Sequence, residues 1–186
     1  MRSAEEWCQE GVERARADDL IGALAAHEAA LALDPGHFGA LSRKPLIEHS
    51  LGMREAAIVS YRLYLQADPL NVDYAVDLAN LLAMEGDEAG AWNAMAACFN
   101  AGGDDPKLAV NAAYLAENFG RADLAVPLVS GVQQRQPNNP EVLAACADVA
   151  GLIGDHAAAV NFARAAAAVA PSVAFSSKWL HLPRAA

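Results

Sequence analysis

Residues 4–37 read AEEWCQEGVERARADDLIGALAAHEAALALDPGH, and the alanine and proline positions of this stretch return every 34 residues along the chain. The alanine series consists of Ala23, Ala57, Ala91, Ala125 and Ala159. The proline series consists of Pro35, Pro69, Gly103, Pro137 and Pro171. A glycine series with the same period consists of Gly52, Gly86, Gly120 and Gly154, and Asp18 occupies the slot ahead of it. Three registers with one common period indicate an internal repeat.

The period divides the chain into five blocks, 4–37, 38–71, 72–105, 106–139 and 140–173. Each block carries two helical patterns of about 14 residues, joined by a short turn. The glycine series falls in that turn, where the end of a helix favours a left-handed residue. The proline series falls just past the second helix, where proline ends a helix at little cost. The spacing therefore predicts successive helix pairs.

The composition favours an all-α fold. Of the 186 residues, 54% are hydrophobic and only 6% are aromatic, and alanine dominates the apolar fraction. Alanine is the best helix former, and runs of β-branched residues are scarce. The chain is long enough to bury a sizeable core as one ordinary domain or as one repeat array.

The formal net charge of −10 limits the classes of partner. Nucleic-acid binding needs clustered lysine and arginine to neutralise phosphates, so a nucleic-acid partner is not predicted. The same charge disfavours anionic membrane surfaces. It is compatible with a neutral or basic protein partner, and it favours solubility.

The N-terminal sequence MRSAEEWCQE has no apolar segment of the kind found in secretory signals. No apolar run in the sequence is long enough to span a bilayer. The three cysteines are scattered and odd in number, which indicates a reducing compartment without a disulfide framework. These features predict a cytoplasmic protein.

Five residues of the first block make the repeat specific. Trp7, Gly11, Ala23, Ala30 and Pro35 fall at offsets 4, 8, 20, 27 and 32 of the block. This pattern resembles the tetratricopeptide repeat, W-x2-L-G-x2-Y…A-x3-F…P, and the resemblance covers about nine tenths of the chain. It implies a right-handed α-solenoid of antiparallel helix pairs, with a five-repeat domain over residues 1–173 and a capping segment over residues 174–186.

Two departures from the repeat pattern lead to structural expectations. Glu10, Arg14 and His27 stand where the repeat has apolar or aromatic residues, and polar residues in a first block indicate an N-terminal cap. Lys44-Pro45 interrupts the first helix of the second block. Because proline removes a backbone donor and clashes with the preceding turn, we expect a kink near residues 43–45 or a helix that restarts at Pro45.

The junction after the third block and the C-terminal segment also differ from the repeat pattern. Residues 100–105 read NAGGDD, with a glycine pair in place of the usual proline, and this predicts the loosest junction of the array. After Pro171 the chain is too short for another helix pair but contains Phe175 and Trp179. We expect these two side chains to cover the fifth block. The alternative is an exposed Trp179 that inserts into a partner or a second copy.

The sequence carries no catalytic or metal-binding constellation. The motifs G-x-S-x-G, H-E-x-x-H, G-x-x-x-x-G-K-[ST] and C-x-x-C are missing, and the five histidines are scattered along the chain. No enzymatic activity, metal or cofactor is therefore predicted. Cys98 and Cys146 fall at buried-type offsets, whereas Cys8 falls at a groove-type offset where a reactive thiol is the alternative to a core residue.

The resemblance implies that the first helix of each pair lines a concave face that holds a partner. At the groove-type offsets, the third and fourth blocks are the richest in hydrogen-bonding groups, and asparagine can both donate to and accept from a peptide backbone. Tyr114 adds a flat apolar anchor with a polar tip. The alternative is a helix surface that is polar only because it is solvated. The predicted contact residues are Asp73, Asp77, Asn80, Lys107, Val110, Asn111, Tyr114 and Asn118.

Some members of this family hold a C-terminal carboxylate with a lysine and asparagine clamp, and this chain does not match that pattern. Val76 stands where the clamp needs a lysine, and Glu141 and Asp148 make the later position acidic. A chaperone-tail receptor is therefore not predicted. The acidic residues instead favour a partner segment that carries lysine or arginine.

The sequence thus predicts a non-enzymatic module that binds a protein or peptide segment, as an adaptor, assembly factor or secretion-type chaperone. Two alternatives remain open at this point. The chain could be the substrate-recruiting domain of a larger enzyme, such as a protein glycosyltransferase, or a self-assembling scaffold that uses the Trp179 end as a joint. The expected oligomeric state is a monomer or a weak homo-oligomer.

Overall fold

The structure, a computed structural model, describes residues 2–171, and within this range the chain forms α-helices and no strands. The first helices of the pairs are α1 (Ala4–Arg16), α3 (Phe38–Ser50), α5 (Val72–Met84), α7 (Pro106–Phe119) and α9 (Pro140–Leu152). The second helices are α2 (Leu20–Leu33), α4 (Arg54–Ala67), α6 (Glu88–Asn100), α8 (Ala122–Arg135) and α10 (His156–Val169). The successive pairs are called repeats 1 to 5 below. The prediction of an all-α fold is confirmed.

Aspartate side chains begin three of the second helices. The carboxylates of Asp19, Asp87 and Asp155 each accept a hydrogen bond at 2.9 Å from the backbone N–H three residues further on. These bonds satisfy an N–H group that the helix itself cannot pair, and the negative charge complements the helix dipole. The same short turn thus both ends one helix and starts the next.

The glycine series lies in the turns inside the pairs, as the period predicts. Gly52, Gly86, Gly120 and Gly154 have φ angles of 73°, 79°, 67° and 83°, which are left-handed conformations. Asp18 has the corresponding conformation in repeat 1, with φ of 63°. Aspartate is one of the few residues with a side chain that tolerate this region, so the slot ahead of the glycine series serves the same turn.

The alanine series lies in the interior of the stack. Each of the five alanines is completely buried, at 0% exposure. A residue without atoms beyond Cβ lets two helices of a pair approach closely, and longer side chains fill the remaining space. These buried positions are Ala23, Ala57, Ala91, Ala125 and Ala159.

Neighbouring repeats pack through α2 on α3, α4 on α5 and α8 on α9, and α7 packs on both α5 and α9. Contact between α6 and α7 is sparser, at the loop where Gly102 has φ of 116°. Here α8 bridges back to the preceding repeat. Arg135 stacks on the Phe99 ring at 4.2 Å, and its Nη1 donates to the carbonyl of Gly103 at 2.9 Å.

The α3 helix runs without interruption across Pro45, so the expectation of a helix that restarts there is wrong. The proline ring is buried in the stack. The hydroxyl of Tyr74 in α5 donates to the backbone carbonyl of Ser42, three residues before the proline. The Tyr74 hydroxyl thus connects α5 to the turn of α3 that precedes Pro45, while the carbonyl that the proline leaves without its intrahelical donor is that of Leu41.

His27 is not part of a polar outer cap, contrary to the sequence-based interpretation. Its side chain is completely buried, at 0% exposure, because the missing side chain of Gly11 leaves room for the ring. Glu10 and Arg14 do lie at the surface, where Arg14 pairs with Glu10 at 2.8 Å and with Asp19 at 3.0 Å.

Among residues 2–171, every helix falls short of the length and apolarity needed to cross a membrane. Phe175, Trp179 and the predicted capping segment 174–186 lie outside the described residues. The capping role and the block boundaries therefore stay predictions.

Candidate partner-binding groove

A cleft of about 770 Å³ lies between the first helices of repeats 3 and 4. Helices α5 and α7 line it with Asn80, Ala83, Met84, Val110, Asn111, Tyr114, Asn118 and Phe119. Five of the eight contact residues predicted from the sequence therefore come together in one place. They do so because residues three and four apart on α7 share one face of the helix, and α5 packs beside that face.

A second cleft, of about 350 Å³, lies on the other side of α7, against α9. It is lined by Lys107, Val110, Asn111, Ala113, Glu141, Ala144, Ala145 and Asp148. Val110 and Asn111 border both clefts, so the two form one continuous depression across three first helices. We call the residues of the two clefts together the α7 groove.

The amide groups of the α7 groove have hydrogen-bonding capacity left over. Within the described part of the chain, Asn80 and Asn118 make no hydrogen bond through their side chains. The Nδ2 atom of Asn111 donates to the Lys107 carbonyl at 2.8 Å, which leaves the Asn111 side-chain oxygen as an acceptor. Asparagines in this state can pair with the N–H and C=O groups of an extended segment.

Apolar side chains lie beside these amides. Val110 is 43% exposed and Tyr114 is 56% exposed, although both stand on a helix whose other face is completely buried. Met84, at the end of α5, is 64% exposed at the same cleft. Such side chains offer apolar area next to the amides, and tyrosine adds a hydroxyl at its tip.

Lys107 and Asp73 form an ion pair that joins repeats 3 and 4. The hydrogen bond and the charge of the Asp73 carboxylate raise the pKa of Lys107. Both side chains are more than half exposed, so the pair contributes little to stability. Lys107 lines the α9 side of the groove, whereas Asp73 lines neither cleft.

Asp77 has a different role from the other predicted contact residues. It accepts a hydrogen bond at 3.2 Å from the hydroxyl of Tyr61, and that hydroxyl also lies 3.4 Å from Nδ1 of His49. Burial and the adjacent Asp77 carboxylate raise the pKa of Tyr61. Asp77 therefore connects α5 to α3 and α4, and it does not line the α7 groove.

An aromatic cluster between α3, α4 and α5 was not anticipated from the sequence. The Tyr74 ring lies 5.2 Å from that of Tyr61 and 4.5 Å from that of Tyr64, and Phe38 lies 5.4 Å from Tyr64. Burial is the main cause that raises the pKa of Tyr74 to about 12. The spacing of Tyr61 and Tyr64 on one helical face was the available signal.

All three cysteines are buried and free in the described residues. Cys8, at a groove-type offset, is only 5% exposed, and burial raises the pKa of its thiol. A protonated, covered thiol is a poor nucleophile, so the structure favours the core interpretation of Cys8. Residues 2–171 also contain no group of three potential metal ligands.

Neither a family model nor a curated protein matches the sequence. Solved structures do match it. MamA is 15% identical, with 98% of each chain covered and a TM-score of 0.71. YrrB, described as a tetratricopeptide repeat protein with an unusual peptide-binding site, is 17% identical, with 95% of this chain and 92% of that chain covered and a TM-score of 0.68. PilW, a widely conserved type IV pilus biogenesis factor, is 19% identical, with 90% and 78% covered and a TM-score of 0.59.

At these identities the likeness concerns the fold. It agrees with the sequence period, which gave the same repeat type from a different kind of observation. The ten helices of the described residues, ordered as five successive pairs, agree with the same repeat. The chain therefore has the tetratricopeptide repeat fold, a right-handed α-solenoid of antiparallel helix pairs.

Proposed function

We propose that this chain is a non-enzymatic protein-interaction module that holds an extended protein segment in the α7 groove. The observation that carries the proposal is the combination of unpaired asparagine amides with exposed Val110 and Tyr114 in one depression. An extended backbone needs a donor or acceptor at regular intervals, and the amides can supply either. The apolar side chains supply contact area beside them.

The charge around the groove favours a segment with lysine or arginine. Glu141 and Asp148 border its α9 side, and the whole chain carries a net charge of −10. Lys107 is already engaged by Asp73, so it adds little positive potential to the groove. A cationic side chain beside Glu141 is the expected electrostatic match.

The peptide-binding site described for YrrB, which has the same fold, supports a binding role for this chain. The roles we propose are those of an adaptor, an assembly factor or a chaperone in a cytoplasmic setting. The three buried cysteines, none of which is paired, are compatible with a reducing compartment.

Selection from a displayed library of random peptides tests this proposal, because it does not require the partner to be identified first. Peptides enriched on the parent protein are synthesised, and their affinities are measured by calorimetry. The variant Asn80→Ala with Asn111→Ala should weaken binding about tenfold or more, since each lost hydrogen bond contributes about 1 kcal/mol.

Asn161→Ala is the matched control, because Asn161 is an exposed asparagine on α10, outside the groove. It should leave the affinities unchanged. If the double asparagine variant binds the selected peptides as tightly as the parent does, the assignment of the α7 groove is wrong.

A further inference from the structure

Repeat 1 lies outside the main hydrophobic core. Among the described residues, the main cluster of buried apolar side chains begins at Ala57 in α4 and continues to Val149 in α9. Two small clusters connect repeat 1 to repeat 2 instead. They consist of Cys8, Ala30 and Ala40, and of Ala23, Leu24 and Ile47.

Charged side chains fill the space along α3 between these two clusters. Lys44 and Glu48 share a helical face with Ala40 and Ile47, as their spacing requires. The Nζ atom of Lys44 bonds to Oε1 of Glu48 at 2.5 Å. The same atom lies 3.1 Å from the hydroxyl of Ser60 in α4.

The fourth member of this group is Glu28 of α2, whose Oε1 lies 3.9 Å from Nζ of Lys44. The side chain of Glu48 is 2% exposed, and its Oε2 atom has no hydrogen-bond partner in the described residues. We call Glu28, Lys44, Glu48 and Ser60 the charged joint. The ion pair of Lys44 and Glu48, with one oxygen unsatisfied, thus stands within α3 of repeat 2, and repeat 1 approaches it through Glu28.

The equivalent positions of the following repeats are apolar and buried. One period after Lys44 and Glu48, the chain has Leu78 and Leu82. The next two repeats continue the series with Ala112, Ala116, Cys146 and Ala150. Within the described stack, the charged joint is thus a property of the contact between repeats 1 and 2.

The two kinds of contact differ in what separation exposes to water. Opening an apolar contact exposes hydrocarbon, which is unfavourable. Opening the charged joint returns Lys44 and the unsatisfied carboxylate of Glu48 to water, which recovers hydration free energy lost on burial. In a repeat array, stability is the sum of neighbour contacts, so the contact with the lowest opening cost separates first.

We propose that repeat 1 opens as a unit from the rest of the solenoid through the charged joint, while repeats 3 to 5 stay assembled. Opening shortens the continuous stack from five helix pairs to four. It leaves the α7 groove, which is built from repeats 3 to 5, intact. The joint therefore changes the length of the stack and leaves the proposed binding groove whole.

The accessibility of the cysteine thiols reports whether repeat 1 opens. Cys8, Cys98 and Cys146 are 5%, 2% and 7% exposed, so static exposure does not favour Cys8. Cys8 is covered by α3, because its Sγ atom lies 3.1 Å from the position of a β-carbon on Gly39. Separation of repeat 1 from repeat 2 would uncover Cys8 alone.

The experiment measures the rate at which each cysteine of the native chain reacts with a thiol reagent, resolved by peptide mass spectrometry. We expect Cys8 to react about tenfold faster than Cys98 or Cys146, since local opening sets the rates of covered groups. Comparable rates at all three positions would overturn the proposal.

Two variants of the joint should change the Cys8 rate in opposite directions. Lys44→Leu with Glu48→Leu copies the apolar pair of repeat 3 and should lower the rate at which Cys8 reacts about tenfold. Lys44→Ala leaves Glu48 without its partner and should raise that rate about tenfold. The matched control is Arg54→Gln with Glu85→Gln, which removes an exposed ion pair of 3.6 Å between repeats 2 and 3 and should leave the Cys8 rate unchanged.

Circular dichroism shows whether the double leucine variant has folded. If it has not folded, the Cys8 rate of Lys44→Ala alone tests the opening through the charged joint. An unchanged Cys8 rate in Lys44→Ala, or in a folded double leucine variant, contradicts opening through the charged joint.

Discussion

The imidazole of His27 lies directly on Gly11. Its Cε1 and Nε2 atoms are each 2.7 Å from the position that a β-carbon on residue 11 would occupy. Both residues are buried, one in each helix of repeat 1. One period later the same two positions hold Pro45 and Tyr61, and in repeat 4 they hold Ala113 and Val129. In repeat 1, a side chain on residue 11 would therefore press on the ring that faces it.

The first prediction follows from this contact. Gly11→Ala should lower the free energy of unfolding by about 1 kcal/mol or more, because overpacking a core costs about 1–3 kcal/mol and the higher helix propensity of alanine offsets only part of it. In a chain that carries His27→Val, which leaves space beside α1, the same change should become stabilising. Urea unfolding of the parent, the two single variants and the double variant measures the effect of Gly11→Ala on stability with and without His27.

Gly36→Ala serves as the control, since the nearest atom to its β-carbon position is 3.5 Å away. If Gly11→Ala changes the free energy of unfolding equally with and without His27, the ring does not pack tightly against residue 11.

The second prediction concerns acid. Burial lowers the pKa of His27 from 6.5 to about 4, with a further contribution from the positive charges of Arg43 and His37. Below pH 6.5 the unfolded chain binds a proton at this site that the folded chain does not bind, so the free energy of unfolding falls as the pH drops towards 4. The loss from this group is on the order of 3 kcal/mol.

His27→Met isolates that contribution, because repeat 3 has Met95 at the same position and methionine does not titrate. Urea unfolding of parent and variant between pH 7 and pH 4 gives two curves. As the pH falls from 7 to 4, the parent should lose more stability than the variant. Parallel curves would show that His27 is protonated at no cost to the fold.

The third prediction concerns the junction of repeats 3 and 4, where Phe99 lies on Gly131. A β-carbon on residue 131 would lie 2.3 Å from Cζ of Phe99. Gly131→Ala should therefore displace the ring and disturb the stacking of Arg135 on it, with a loss of about 1–3 kcal/mol.

The loss should be concentrated where α6 and α7 already contact each other sparsely. Amide hydrogen exchange should quicken in α6 and α7 more than in α9 and α10. Unchanged exchange in α6 and α7 would mean that Phe99 does not hold this junction together.

The sequence predicts the helix pairs well because their causes are local and periodic. The alanines that allow close approach and the glycines that turn the chain recur at every repeat, and each can be recognised without a neighbour. The grouping of Asn80, Asn111, Tyr114 and Asn118 in one cleft also follows from helical spacing together with the repeat order.

Other features could not be predicted because they depend on what the next helix brings. The polar side chain of His27 suggested an exposed cap, and only the absent side chain of Gly11 shows that the ring fits inside. Asp77 has a groove-type offset, yet its carboxylate accepts a hydrogen bond from the hydroxyl of Tyr61 on α4. Lys44 and Glu48 stand four residues apart on one helix, but the sequence does not show that neighbouring helices bury the Glu48 carboxylate.

The most direct test of the proposed groove is where a selected peptide contacts the protein. Side-chain amide resonances of asparagine are resolved in ¹⁵N correlation spectra, so binding can be followed at each asparagine separately. Addition of peptide should shift the resonances of Asn80, Asn111 and Asn118 and leave those of Asn93 and Asn161, on α6 and α10, unchanged. Shifts at Asn93 and Asn161 without shifts at Asn80 and Asn111 would place the partner on the second helices and contradict the proposal.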